Sequence, residues 1–262
     1  MSIKTPNADF RENLQSNWII NGDMLISERG SYTSATAISA NIYSIDRWKS
    51  RVNTVTATVQ SITTAQPEVL AQTYSIKYAA TSTATGSLGG YQAVEYHQYF
   101  QGKTLTFSAW VKSNSSEARL FIFNGSAFDG FSSSHSGSGN WEKLTVTCDL
   151  NAAATELRAY AAITSSVGGT VSISSGDYIE FTGAKLEFGS EATEFVPRPI
   201  NIELQLCQRY FYRRNGAATG SLGTVAGNFD TGIMLANSSG LTSANDTCVA
   251  YSSGYQTFDA EL

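Results

Sequence analysis

Hydrophobic and polar residues alternate along much of the chain with a period of two, in short runs that are separated by clusters of Gly, Ser and Asn. A period of two is typical of a β-strand that has one face in a core and the other toward solvent. The pattern predicts strands at 18–27, 52–62, 72–80, 93–100, 104–112, 118–124, 142–149, 157–164 and 178–187. Short strands at this spacing predict an all-β fold, a jelly-roll β-sandwich.

A helical pattern is clear in one place. Asn201 is positioned to cap a short helix over 202–208, with Glu203 in its first turn. Pro197 restricts the backbone just ahead of this helix and marks a boundary.

The periodicity also divides the chain into parts. The start of the chain lacks periodicity, and the end is rich in Gly, Ala, Asn, Ser and Thr, with faint alternation at 231–236 and 247–251. We therefore expect an N-terminal arm over 1–16, the sandwich over 17–196, and a short helix with a small C-terminal β region over 197–262.

Composition supports the β class. Charged residues make up 15% of the chain, against about 25% in an average soluble domain. The chain has 34 Ser and 27 Thr, and aromatic residues reach 11%. This usage predicts strands whose surfaces are solvated by hydroxyl groups, and it disfavours long amphipathic helices.

Charge and cysteine content exclude several classes of protein. The net charge of −5 argues against a general nucleic-acid-binding surface, which needs Lys and Arg to neutralise phosphates. No run approaches the roughly 20 apolar residues that cross a bilayer, and 1–14 lacks the apolar centre of a signal peptide, so we expect neither membrane insertion nor general secretion. Cys148, Cys207 and Cys248 are odd in number and far apart, so we expect them to be unpaired.

The alternation also assigns strand faces. In 104–112 the apolar residues Leu105, Phe107, Ala109 and Val111 share one side, and Trp110 lies on the polar side. The same assignment of inward and outward residues in 93–100, 118–124 and 157–164 predicts one outer surface of aromatic and hydrogen-bonding residues. Its members are Trp110, Tyr99, His97, Arg119, Phe121 and Tyr160.

Two interpretations of this outer surface stay open. Exposed rings flanked by polar side chains are suited to glycans, because sugar C–H faces stack on rings while hydroxyls bind polar groups. A subunit interface uses the same residue types. The loop 124–140, with Phe128, Asp129, Phe131 and His135, is either a second contact region or a solvated loop anchored by its two phenylalanines.

Evidence for catalysis or metal binding is weak. His97 and His135 are the chain's two histidines, and neither lies in a nucleophile or zinc motif. A pair of carboxylates for glycoside hydrolysis remains possible, but we expect no enzyme and no cofactor. Asn21, Asp23 and Glu187 offer oxygen ligands for calcium if the first and last strands meet, with a turn and a salt bridge as the alternative.

Several motifs resemble one known family. The segments are NWIINGDM at 17–24, DRW at 46–48, GKTLTFSAWVK at 102–112, LEFGSEATEF at 186–195 and ELQLCQRYF at 203–211. Together they resemble bacteriophage tail-fibre and receptor-binding proteins with a carbohydrate-binding-module-like jelly roll. The ending DAEL at 259–262 is similar to the usual end of such chains, so we expect a complete chain.

The resemblance implies a virion protein, assembled in the host cytoplasm, that forms a homotrimer and attaches to a host-surface glycan. We expect residues 1–16 to dock on other virion proteins. The alternatives are a purely structural collar, capsid or baseplate component and, from another class, a glycan depolymerase. No sugar-binding residue follows from the resemblance, so the candidate site depends on the strand faces.

Overall fold

The computed structural model describes residues 17–63, 74–215 and 255–259. The described residues form two units along the chain, one ending at Cys207 and the other beginning at Gln208. The expected N-terminal arm, the faint alternation at 231–236 and 247–251, and Cys248 lie outside the described residues.

The described part of the chain is built almost entirely from strands. In chain order they are β1 (Thr36–Ile38), β2 (Lys49–Asn53), β3 (Ala57–Ile62), β4 (Ser75–Ala80), β5 (Ala84–Ala93), β6 (Thr104–Ser113), β7 (Ala118–Phe123), β8 (Phe128–Phe131), β9 (Trp141–Asp149), β10 (Arg158–Ile163), β11 (Val171–Ile173), β12 (Tyr178–Phe188), β13 (Phe211–Asn215) and β14 (Tyr255–Asp259). A 3₁₀ turn covers His97–Tyr99, and one helix, α1, covers Ile200–Gln208.

The first twelve strands form two antiparallel sheets that share one core. Sheet A has the order β1-β3-β4-β12-β6-β9, and sheet B has the order β11-β5-β10-β7-β8, with β2 also paired to β5. Strands β13 and β14 form a separate antiparallel pair in the second unit. The predicted fold class, a jelly-roll β-sandwich with a short helix and a small C-terminal β region, is confirmed.

The core lies between the inner faces of the two sheets and contains large aromatic side chains. The inward residues of β6 are fully buried there, as the alternation predicts: Leu105, Phe107, Ala109 and Val111. Two buried polar groups are satisfied, since Trp48 Nε1 donates to Asn21 O at 2.9 Å and the Tyr78 hydroxyl lies 2.6 Å from Ser44 Oγ. Burial of aromatic rings with paired polar atoms stabilises the sandwich.

Glycines allow close packing in β5, a strand that the alternation does not reveal. A Cβ on Gly89 would lie 2.2 Å from Ala161 O, and a Cβ on Gly90 would lie 2.9 Å from the Tyr78 ring. Neither distance is sterically possible for a real side chain. The absence of a Cβ at Gly89 and Gly90 therefore lets strand β10 and the Tyr78 ring lie directly against the backbone of β5.

Two predicted strands are wrong. Residues 18–27 form a turning segment, because the Asn21 side chain bonds Ile26 N, Ile26 O and Asp46 O in place of a strand partner. Residues 93–100 contain the end of β5 and then the 3₁₀ turn, which begins after Tyr96 at a φ of 56°. Val94 and Phe100 are nevertheless buried, as the alternation predicts.

Helix α1 begins at Ile200, just before the predicted cap Asn201. The Glu203 side chain is buried and forms an ion pair with Arg198 at 2.9 Å. Glu203 also accepts a hydrogen bond from the backbone N–H of Asn21. This buried pair ties the segment around α1 to the start of the sandwich.

The structure also bears on the membrane, metal and cysteine expectations. No helix among the described residues has the length and apolar character needed to cross a membrane. Within the same residues, no group of three or more His, Cys, Asp or Glu side chains is placed to hold a metal ion. Asp23 lies near Glu203, whereas Glu187 pairs with Lys185 at 3.2 Å, so the two proposed calcium ligands have different partners. Cys148 and Cys207 are unpaired.

Candidate functional site

The predicted outer surface is divided among three places. Arg119, Phe121 and Tyr160 lie on the outer face of sheet B, because β7 and β10 belong to that sheet. Trp110 lies on the outer face of sheet A, and His97 and Tyr99 lie in the 3₁₀ turn. The prediction that all six share one surface is wrong, because parity gives the face of a strand but not the sheet to which it belongs.

Four rings from four neighbouring strands form a stacked row on sheet B. Tyr91, Tyr160, Phe121 and Phe131 are paired in register across β5, β10, β7 and β8. Their successive centroid distances are 4.8, 4.6 and 5.4 Å, and each neighbouring pair is stacked. We call this row the aromatic ladder.

The ladder rings hide one another's faces. Adjacent strands are about 4.8 Å apart, which is close to the spacing of stacked rings, so paired rings stand upright and stack. Phe121 is 0% exposed and Tyr160 is 4% exposed. The exposed ring faces expected for sugar stacking are therefore absent here, and the ladder acts as a second small core.

Arg51 covers the ladder from strand β2. Its side chain extends past Gly89, and its guanidinium carbon lies 5.2 Å from the Tyr160 ring centre and 5.3 Å from that of Phe121. Arg51 also donates to Gly168 O at 2.8 Å. Gly168 has a φ of +74°, and a Cβ there would lie 2.3 Å from the Phe128 ring, so this position needs glycine. Burial lowers the pKa of the Arg51 guanidinium.

The other charged and polar residues near the ladder already have partners. Arg119 donates to Thr164 O at 3.0 Å and to Glu117 at 2.6 Å. His135, from the loop after β8, is buried and lies 2.9 Å from Asn140 O. Within the predicted loop 124–140, Phe128 and Phe131 are the two ends of β8; Phe131 belongs to the ladder and Phe128 packs against it, so both serve as anchors.

Tyr99 belongs to an aromatic group at one end of the sandwich. Its ring lies 5.6 Å from Phe188 and 5.7 Å from Trp18, and Lys103 Nζ lies 3.8 Å from its centre. Tyr99 is 54% exposed and Phe188 is 38% exposed. We call Trp18, Tyr99, Phe100, Lys103 and Phe188 the end cluster; His97 lies beside it in the 3₁₀ turn.

Trp110 occupies a different setting, on the outer face of sheet A, in the strand next to the edge strand β9. It is paired in register with Thr182 of β12 on one side and Lys143 of β9 on the other. Two residues further along the strands, the next outward-facing row consists of Glu180, Lys112 and Trp141, and Lys77 of β4 continues it. We call Lys77, Trp110, Lys112, Trp141, Lys143 and Glu180 the Trp110 surface.

The Trp110 surface combines an aromatic ring with polar groups. Trp110 is half-buried and, within the described part of the chain, makes no ring-to-ring contact, in contrast to Tyr99, Phe121 and Tyr160. Lys143 is paired directly with Trp110, at a Cβ separation of about 4.5–5.5 Å, and Lys112 follows Trp110 by two residues on the same face of β6. Both lysines therefore stand within reach of a molecule resting on the indole. The arrangement is suited to stacking a sugar ring while hydrogen-bonding its substituents.

Glu180 provides the carboxylate of this surface. The residue is buried, and its Oε1 accepts a hydrogen bond from Ser75 Oγ at 2.5 Å. Burial raises the Glu180 pKa, while Lys112 and Lys77 act to lower it. Thr182 is also engaged, because its hydroxyl donates to Tyr74 O at 2.7 Å.

Sequence reasoning missed four residues of this surface: Lys77, Trp141, Lys143 and Glu180. The alternation in 142–149 and 178–187 already places Lys143 and Glu180 opposite the apolar residues. What the sequence lacks is the strand order β4-β12-β6-β9, which brings these side chains beside Trp110.

No family model matches this chain, and no curated protein matches it either. Among solved structures, it is similar to the enzymatically active domain of tailspike protein 4 from bacteriophage CBA120, with 14% identity over 66% of this chain and a TM-score of 0.41. The chain spans 21% of the length of that domain.

Carbohydrate-binding modules are also among the similar structures. A xylan-binding CBM22 module from Paenibacillus barcinonensis shows 12% identity over 62% of this chain and 99% of its own, with a TM-score of 0.36. The module TmCBM61, solved with β-1,4-galactotriose, shows 10% identity over 66% of this chain and 99% of its own, with a TM-score of 0.37. At such low sequence identity and structural similarity, the function has to be inferred from the side chains of this molecule.

Proposed function

We propose that this chain is a carbohydrate-binding component of a bacteriophage virion appendage, which attaches to host-surface glycan through the Trp110 surface. The observation that carries the proposal is Trp110 itself, an unstacked indole on an outer sheet face, with Lys112 and Lys143 in the adjoining positions. The sequence motifs at 17–24, 102–112 and 186–195 support the virion role through their resemblance to receptor-binding proteins.

In this proposal the protein binds glycan without cleaving it. Glycoside hydrolysis uses two carboxyl groups on either side of the scissile bond. Glu180 is the carboxylate of the Trp110 surface, and it is buried and accepts a hydrogen bond from Ser75. The protein also forms a homotrimer in this proposal, with residues 1–16 attached to other virion proteins.

The test measures binding of the full chain to an array of purified bacterial surface polysaccharides. Trp110→Ala should weaken binding by roughly 1–3 kcal/mol, by analogy with the stacking of bases on aromatic side chains. Trp110→Phe should recover part of the loss because a ring remains. Tyr212→Ala removes a ring that is 41% exposed in the second unit, and it serves as the control that should leave binding unchanged.

Two further measurements separate the alternatives. Native mass of Trp110→Ala distinguishes a glycan site from a subunit interface, since loss of the oligomer would reject the site. Release of reducing sugar from the bound polysaccharide would reject the non-enzymatic role. If no polysaccharide binds the unmodified protein, the chain is instead a structural component of the particle.

A further inference from the structure

The Trp110 surface contains three lysines that are not neutralised by ion pairs. Lys77 and Lys112 stand on either side of Glu180 in register, and Lys143 stands opposite Trp110. Within the described part of the chain, none of the three forms an ion pair. The Trp110 surface therefore has three positive charges and one carboxylate.

Several other cations of the sandwich form ion pairs. Arg119 lies 2.6 Å from Glu117, Arg158 lies 2.6 Å from Glu156, and Lys185 lies 3.2 Å from Glu187. The chain has 22 acidic against 17 basic residues, so carboxylates are abundant. Among the described residues, these carboxylates do not pair with Lys77, Lys112 and Lys143, which share one sheet face, whereas Lys103, which also makes no ion pair, lies in the end cluster.

The three lysines differ in how firmly they are held. Lys77 Nζ lies 4.2 Å from the centre of the Tyr178 ring, a cation–π contact that holds it against the sheet. Lys143 is exposed and lies across from Trp110, on β9. Lys112 is half-buried and lies two residues along β6 from Trp110. Glu180 is buried and accepts a hydrogen bond from Ser75, so its carboxylate is not exposed for direct contact with a molecule above the indole.

We infer that the Trp110 surface selects anionic saccharides, whose sugar ring stacks on Trp110 while its acidic group contacts Lys112 and Lys143. The inference rests on the proposed function, because it names the class of glycan for the same surface. An acidic group paired with an ammonium forms a charge-assisted hydrogen bond, which is stronger than a neutral one. Neutral saccharides would leave both ammonium groups without a counter-charge.

The first test compares each polysaccharide with its own neutral form. The probes are purified bacterial polysaccharides that bear uronate carboxyls or phosphates, together with neutral ones. Carboxyl groups are reduced to alcohols, and phosphates are removed, so that the backbone stays the same. We expect at least about fivefold weaker binding after neutralisation, and weaker binding as salt rises from about 50 to 500 mM. Loss on carboxyl reduction identifies a uronate, and loss on dephosphorylation identifies a phosphate.

The second test uses matched lysine variants. Lys112→Gln and Lys143→Gln should each weaken binding to the acidic polysaccharide about two- to fivefold, the range expected for exposed ion pairs. Their binding to neutralised polysaccharide should be unchanged. Lys49→Gln makes the same change of charge on strand β2 of sheet B, where Lys49 Nζ lies 4.4 Å from the centre of the Tyr43 ring, and should have no effect.

The outcomes distinguish this inference from the proposed function. If the native and neutralised polysaccharides bind with equal affinity while Trp110→Ala still weakens binding, the anionic selectivity alone is overturned. An equal loss in Lys49→Gln would mean that net charge, and not the Trp110 surface, attracts the polymer, and it also overturns the selectivity. Failure of Trp110→Ala to weaken binding overturns the proposed function together with the inference.

Discussion

Asp23 and Asp46 are buried carboxylates near the start of the sandwich. Burial raises the pKa of each from 3.8 to about 6, and Glu203 adds to the shift at Asp23. Hydrogen bonds from Glu28 N and Arg29 N to Asp46 oppose the shift without cancelling it. At neutral pH both groups are therefore ionised at a cost to the folded state.

This cost predicts a protein that becomes more stable on mild acidification. A folded pKa above the unfolded value adds stability that is fully present below about pH 4 and is lost as the pH rises through about 6. A shift of about two pKa units corresponds to about 3 kcal/mol for each group as an upper value. The midpoint of thermal unfolding should rise between pH 7.5 and about pH 5.

Asp23→Asn is the matched variant for this prediction. It should unfold at a higher temperature than the unmodified protein at pH 7.5, and its unfolding temperature should vary less with pH. A midpoint that falls steadily from pH 7.5 to about pH 5 in the unmodified protein would contradict the assignment of these two carboxylates.

At the scale of elements, the aromatic ladder joins four strands of sheet B. Phe121 stands at its centre, between Tyr160 and Phe131, and is fully buried. Phe121→Ala should therefore destabilise the sandwich by about 3–5 kcal/mol, the usual cost of deleting a buried ring. Chemical denaturation measures this loss. Phe123→Ala, at the half-buried rim, should cost clearly less.

Equal losses in the two variants would show that the ladder is not a second core. Binding of polysaccharide provides an independent readout. The folded fraction of Phe121→Ala should bind as tightly as the unmodified protein, because the ladder and the Trp110 surface lie on opposite sheets. Weaker binding by the folded fraction would instead place the sugar on sheet B.

Alternation predicts much of the element structure. The predicted runs at 104–112, 118–124 and 142–149 coincide with β6, β7 and β9 within about two residues. Strand β5 was missed because its glycines interrupt the alternation, although they are what lets β10 and Tyr78 approach. Residues 18–27 alternate like a strand but turn at Asn21, whose side-chain hydrogen bonds are invisible in a pattern of polarity.

The candidate site shows a different limit of prediction. Parity correctly places Trp110, Phe121 and Tyr160 outward from the core. Whether an outward ring offers its face depends on the residue paired with it on the next strand. Phe121 meets Tyr160 and stacks, whereas Trp110 meets Lys143 and Thr182 and stays unstacked. Strand order decides this, and a single sequence does not contain the strand order.

At the scale of the whole molecule, the end cluster leaves aromatic surface exposed on a sandwich with few charges. Tyr99 and Phe188 are both exposed, and their rings are fixed by contacts with Trp18 and Phe100. Aromatic residues are enriched in subunit interfaces, and rigid rings lose little freedom on contact. The end cluster is therefore the surface of the sandwich best suited to contact another copy in the proposed trimer.

We predict a native mass of three 28.1 kDa chains at micromolar concentration, by sedimentation or native mass spectrometry. Replacing both rings, Tyr99→Ser with Phe188→Ser, should shift the distribution toward monomer, because an interface loses most of its energy when its central aromatic residues are truncated. Trp110→Ala should keep the mass of the trimer, since that residue lies in the Trp110 surface. A monomer in the unmodified protein would reject the trimer, and dissociation by Trp110→Ala alone would move the interface to sheet A.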